Sequence, residues 1–109
     1  MKPIAWIGDS LERLRGFPPD ARHDAGYQLE RVQAGGAPAD SKAMPLVGIG
    51  VQELRVRTGG AFRVIYVARF AEAVYVLHAF QKKSQKTARM DVDLARRRFA
   101  ALIEQRRYL

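Results

Sequence analysis

Arg55, Arg57, Arg63, His78, Phe80, Lys82, Lys83 and Lys86 all lie in the second half of the chain, and their types suit one kind of chemistry. A planar guanidinium grips a phosphate through two parallel hydrogen bonds and stays charged at physiological pH. An imidazole titrates near pH ~6.5 and exchanges protons there. An aromatic ring beside cations offers a platform for an unpaired base. Metal-free cleavage of an RNA phosphodiester needs three things: removal of the 2′-hydroxyl proton, stabilisation of charge on five-coordinate phosphorus, and a proton for the leaving 5′-oxygen. Arg55 and Arg63 suit the second role, and His78 and Lys82 are candidates for proton transfer. Arg57, Phe80, Lys83 and Lys86 are candidates for holding the strand. Glu53 shares the parity of the arginines, either as a base or, more in keeping with its neighbours, as their ion-pair partner.

Whether these residues act together depends on strand register, since a slip of one residue sends every side chain to the other face. Three extended segments, 51–57, 61–70 and 74–80, are rich in Val, Ile, Tyr and Phe and read as an antiparallel meander. A three-residue turn Thr58-Gly59-Gly60 with a left-handed glycine pairs Arg55 with Arg63, and a four-residue loop 70–73 pairs Arg69 with Val74. This places Leu54, Val56, Phe62, Val64, Tyr66, Tyr75, Leu77 and Ala79 on a core face. Arg55, Arg57, Arg63, His78, Phe80 and Lys82 gather on an opposite, open face. Like charges so close oppose folding and suggest an anionic ligand.

Charge distribution points the same way. Residues 1–50 hold six Lys/Arg and six Asp/Glu, whereas residues 51–109 hold thirteen and five and so supply the entire net +8. A basic half-chain carrying aromatics suits nucleic acid, which binds by phosphate neutralisation and counterion release. With no cysteine and two separated histidines, a disulfide framework is excluded and a structural zinc site disfavoured. No metal or other cofactor is expected. No apolar run is long enough to span a bilayer and no secretory signal opens the sequence, so a soluble cytoplasmic protein with no membrane association is expected.

At 109 residues one domain is expected, covering 1–109. Lys2 to Ile7 suggests an edge strand and Ser10 to Arg15 a turn or two of helix. Pro18-Pro19-Asp20 begins a helix that buries Ala21, Ala25, Leu29 and Val32 and stops at Gly35-Gly36. A closing helix from about Thr87 to Gln105 carries Val92, Ala95, Phe99, Leu102 and Ile103 on one stripe, with Asp91 and Asp93 favourable at its positive end. The expected fold is α+β, with N-terminal helices and a C-terminal helix packed on one face of a twisted, mainly antiparallel sheet of three to four strands. Gly48-Ile49-Gly50 precedes a strand and does not fit a dinucleotide fingerprint. His23, away from the sheet motifs, reads as structural or solvated.

The runs Glu53-Leu54-Arg55-Val56-Arg57, Phe62-Arg63-Val64-Ile65-Tyr66 and Val74-Tyr75-Val76-Leu77-His78-Ala79-Phe80-Gln81-Lys82-Lys83, followed by Asp91-Val92-Asp93-Leu94-Ala95-Arg96-Arg97-Arg98, resemble the phage-derived, HigB-like branch of the RelE toxin superfamily. The resemblance covers nearly the whole chain. It implies a RelE-like fold and a ribosome-dependent messenger RNA endonuclease, the toxin of a type II toxin–antitoxin system. It also implies an antitoxin partner, typically with a helix-turn-helix domain. Members differ in their acid and base residues, and Phe62 stands where a tyrosine is common. Two other readings suit the same basic face: a non-catalytic nucleic-acid-binding phage-type regulatory protein, and a domain that meets an acidic protein partner.

Overall fold

Two prolines open the longest N-terminal element. Pro19 at the first helical position has no N–H to leave unpaired and a backbone angle already suited to a helix. In the computed structural model, which describes residues 1–108, this helix is α2 (Pro19–Gln33). It follows β1 (Ile4–Trp6) and α1 (Ser10–Arg15). Ala21, Ala25, Leu29 and Val32 are its buried face, and Gly35 at φ +90° turns the chain away from it. After it come β2 (Ser41–Ala43), β3 (Val51–Val56), β4 (Phe62–Val67), β5 (Val74–Gln81) and α3 (Arg89–Arg106).

The fold is α+β with a five-stranded mixed sheet in the order β1-β5-β4-β3-β2. This is one strand more than the upper expectation. The added strand is β2, an exposed tripeptide edge that pairs Ser41 with Leu54 and Ala43 with Gln52. β1 pairs with β5 in parallel, and every other neighbour is antiparallel. The Thr58-Gly59-Gly60 turn has Gly59 at φ +72° and sets Val56 opposite Phe62 and Arg55 opposite Arg63, the expected register.

Two expectations require correction. The helices do not share one face of the sheet. α1 and α2 cover one side, packing Leu14, Phe17, Leu29 and Val32 against Leu54, Val56, Val64 and Val76. α3 covers the other, packing Ala95, Phe99 and Leu102 against Val51, Ile65, Val67 and Leu77. All six residues of β4 are buried as a result. A strand covered on both sides has no polar face to reveal which side is open.

The second correction concerns β5. Ile65 pairs with His78, as expected, but Tyr66 pairs with Val76, leaving Leu77 as an extra residue in a bulge. Tyr75 and Leu77 therefore pack on the α3 side, while Val74 and Val76 join the α1–α2 side. The Leu77 carbonyl accepts a 2.8 Å hydrogen bond from Arg98 Nη1 on α3. Arg98 Nη2 also donates to Asp9 at 2.7 Å, so one guanidinium ties the closing helix to the bulge and to the residue before α1. Together with Arg13, it holds the Asp9 carboxyl down at a pKa of about 2.

Where α3 crosses the β2–β3 connection, Phe99 lies directly over Gly48, and a Cβ there would overlap the ring. Gly48→Ala is expected to destabilise the protein by about 1–3 kcal/mol through overpacking, read as a lower urea midpoint with an unchanged slope. An unchanged midpoint would mean that Phe99 is free to move aside.

Candidate nucleic-acid interface

β3 and β4 bring three charged side chains together near the turn that joins them. Glu53 and Arg55 lie two residues apart on one face of β3, and Arg63 stands across the ladder from Arg55. Glu53 and Arg63 are buried, at 3% and 6% exposure. Glu53 Oε1 lies 3.5 Å from Arg63 Nε and 3.9 Å from Arg55 Nε, which is ion-pair range for both. Its other oxygen accepts a 2.7 Å hydrogen bond from Thr87 Oγ1. Glu53 is thus the counter-ion of the arginine pair, the more conservative of its two expected roles.

Among the described residues, neither Arg55 Nε nor Arg63 Nε has a hydrogen-bond partner. Arg63 is held by a 3.0 Å bond from Nη1 to the Phe62 carbonyl. Burial lowers its pKa, Glu53 counters this, and Arg55 and Arg57 add to the lowering. A guanidinium nevertheless remains charged in a protein. The result is a fixed positive site in which the buried Nε–H groups lie against the Glu53 carboxylate. Asp40 flanks it, 3.7 Å from Arg55 and bonded at 3.1 Å to the exposed Arg57.

Lys82 leaves the end of β5 beside this pair, where its backbone N–H donates to the Ala61 carbonyl at 2.7 Å. It borders two depressions. One, of about 480 Å³, is lined by Ala61, Arg63, Lys82, Lys83, Ser84 and Gln85. The other, of about 390 Å³, runs past Glu53 and Arg55 toward Lys86 and Thr87. Lys83 and Lys86 are exposed on the segment between β5 and α3. The bond from Thr87 to Glu53 fastens the far end of that segment onto the arginine site. Arg55, Arg57, Arg63, Lys82, Lys83 and Lys86 therefore form one cationic edge, half on the sheet and half on this strap.

His78 and Phe80 do not join it as expected. Both lie under α3, His78 at 2% exposure and Phe80 at 7%, with their rings stacked 5.0 Å apart. The expected open face is closed here because α3 crosses it, so Phe80 is core and presents no platform to solvent. His78 Nε2 is 2.7 Å from Asp91 Oδ1 in the first turn of α3. Asp91 thus ties the helix to the sheet, beyond the favourable helix-end position read from sequence. No sequence signal marks that pairing, because it depends on where the helix lands. Thr87 was missed for the same reason.

Residues 12–100 match the family described as Phage derived protein Gp49-like. The chain belongs to that family. The Gp49-like family lies within the RelE/HigB-like toxin clan and is often the toxin of a toxin–antitoxin pair, with an antitoxin as partner. No curated protein matches the chain. The α+β architecture and mixed sheet are compatible with a RelE-like fold. Among the described residues, no helix is long and apolar enough to cross a membrane.

In this Gp49-like protein His78 is a buried fastening between β5 and α3. Burial lowers its pKa, only partly opposed by Asp91, while Arg98 and Arg13 add to the lowering. Nδ1 is buried without a partner among the described residues, which favours the neutral ring with its proton on Nε2 facing Asp91. A histidine whose folded pKa lies below its unfolded one contributes stability that is complete above pH ~6.5 and declines as pH falls through the folded value. The urea midpoint should therefore fall between about pH 7 and about pH 5, and His78→Gln should flatten that fall. Equal slopes in the two proteins would show that His78 does not carry the effect.

Proposed function

We propose that this protein is the toxin of a type II toxin–antitoxin pair, in the HigB-like branch, and that it cleaves messenger RNA on the ribosome in the cytoplasm without a metal. Its antitoxin is of the helix-turn-helix type. The observation that carries the reading is the Arg55–Arg63 pair, held by a buried carboxylate where two depressions meet at Lys82.

In the proposed step the 2′-hydroxyl loses its proton to solvent as O2′ bonds to phosphorus. The bond from phosphorus to O5′ breaks, leaving a 2′,3′-cyclic phosphate and a 5′-hydroxyl. Arg55 and Arg63 neutralise the charge that builds on the phosphoryl oxygens. Lys82 supplies the proton to O5′. Arg57, Lys83 and Lys86 hold the flanking phosphates. His78, buried against Asp91, positions α3 and the strap it carries and takes no part in proton transfer.

The burial of His78 favours a second reading, a nucleic-acid-binding regulatory protein that does not cleave. Induced expression in bacteria separates the two. A toxin arrests growth and loses that effect when Lys82 and Arg55 are both changed to alanine. Innocuous expression of the folded parental protein favours the regulatory reading.

A further inference from the structure

The depression of about 390 Å³ next to the arginine pair differs from the rest of the cationic edge in having apolar walls. Met44, Pro45 and Leu46, from the connection between β2 and β3, form one side, and Val92 of α3 contributes to the other. Lys42, Lys82 and Lys86 stand around the same groove, with Arg55 and the bonded Glu53–Thr87 pair also lining it. Leu46 is 71% exposed, a large apolar side chain facing water beside four cations. Its backbone is nevertheless fixed, because Arg96 Nε on α3 donates to the Leu46 carbonyl at 2.9 Å. The turn that contains it is closed by the Val47 N–H on the Met44 carbonyl at 3.0 Å. The apolar wall is therefore held ready by the helix opposite.

Apolar walls flanked by cations complement a flat heterocycle joined on both sides to anionic linkages. We propose that this groove seats one unpaired base of the RNA strand whose phosphates lie on Arg55, Arg63 and Lys82, an assignment that rests on the RNA reading above. Leu46 is its principal contact. The cations hold any strand by its backbone, and the groove adds a preference for a strand that carries bases.

The test measures binding of the full chain, by fluorescence anisotropy at low salt, to a short single-stranded RNA and to an abasic ribose-phosphate strand of the same length. The parental protein should bind the base-bearing strand the tighter. Leu46→Ser, at an exposed position where no core cavity forms, should weaken that strand by about fivefold and leave the abasic strand unchanged. Equal loss on both strands, or no loss on either, would overturn the base seat while leaving the RNA reading intact. Failure of the parental protein to bind either strand would overturn both. Binding of an acidic amphipathic peptide that Leu46→Ser abolishes, with strand discrimination untouched, would make the groove a protein-docking site and refute the proposal.

Discussion

Arg63→Ala is expected to lower RNA cleavage by about 10²–10³, the usual consequence of removing one fixed donor from a site of developing negative charge. It should also damage the fold. Arg63 is buried against Glu53, whose carboxylate would be left with Arg55 at 3.9 Å and the Thr87 hydroxyl. Breaking a buried pair from one side costs about 3–5 kcal/mol, a large share of the roughly 5–15 kcal/mol that holds a domain together. Loss of activity alone would therefore not distinguish chemistry from unfolding.

The double variant Glu53→Gln/Arg63→Ala makes the distinction. The glutamine still accepts from Thr87 but brings no uncompensated charge, so the denaturation midpoint should recover most of the way while cleavage stays low. A folded double variant that cleaves at the parental rate would remove Arg63 from the chemistry. A single variant as stable as the parent would contradict the pairing with Glu53.

The second large effect is on salt dependence. If Arg55, Arg57, Arg63, Lys82, Lys83 and Lys86 each neutralise one phosphate of a single strand, log Kd should rise with log salt at a slope of about 4. Between about 50 and about 200 mM salt this amounts to roughly a 300-fold loss of affinity. Changing Lys82, Lys83 and Lys86 together to alanine should lower the slope by about 2. None of the three is buried, so the fold should be unaffected. A flat salt response in the parental protein would point to an acidic protein partner instead.

The arginine pair was legible because the Thr58-Gly59-Gly60 turn admits few geometries and one of them sets Arg55 opposite Arg63. The N-terminal helix was equally plain, with prolines at its start and glycine past its end. The far half of the site was not. An apolar stripe on α3 says that the helix packs but not against which face of the sheet, and the choice of face buries His78 and Phe80. The bulge at Leu77 left no mark in a strand apolar at nearly every position, and its carbonyl is satisfied by Arg98, 21 residues away. β2, a Ser-Lys-Ala tripeptide, has no strand signature and forms because β3 offers it an edge.

The most direct test of the central claim is the chemistry of RNA ends in cells after the protein is induced. New messenger RNA fragments ending in 2′,3′-cyclic phosphate, paired with 5′-hydroxyl ends, should appear with the parental chain and be absent with the folded Glu53→Gln/Arg63→Ala variant. Growth arrest with no such ends, or the same ends in equal amount from both proteins, would contradict cleavage by the arginine site.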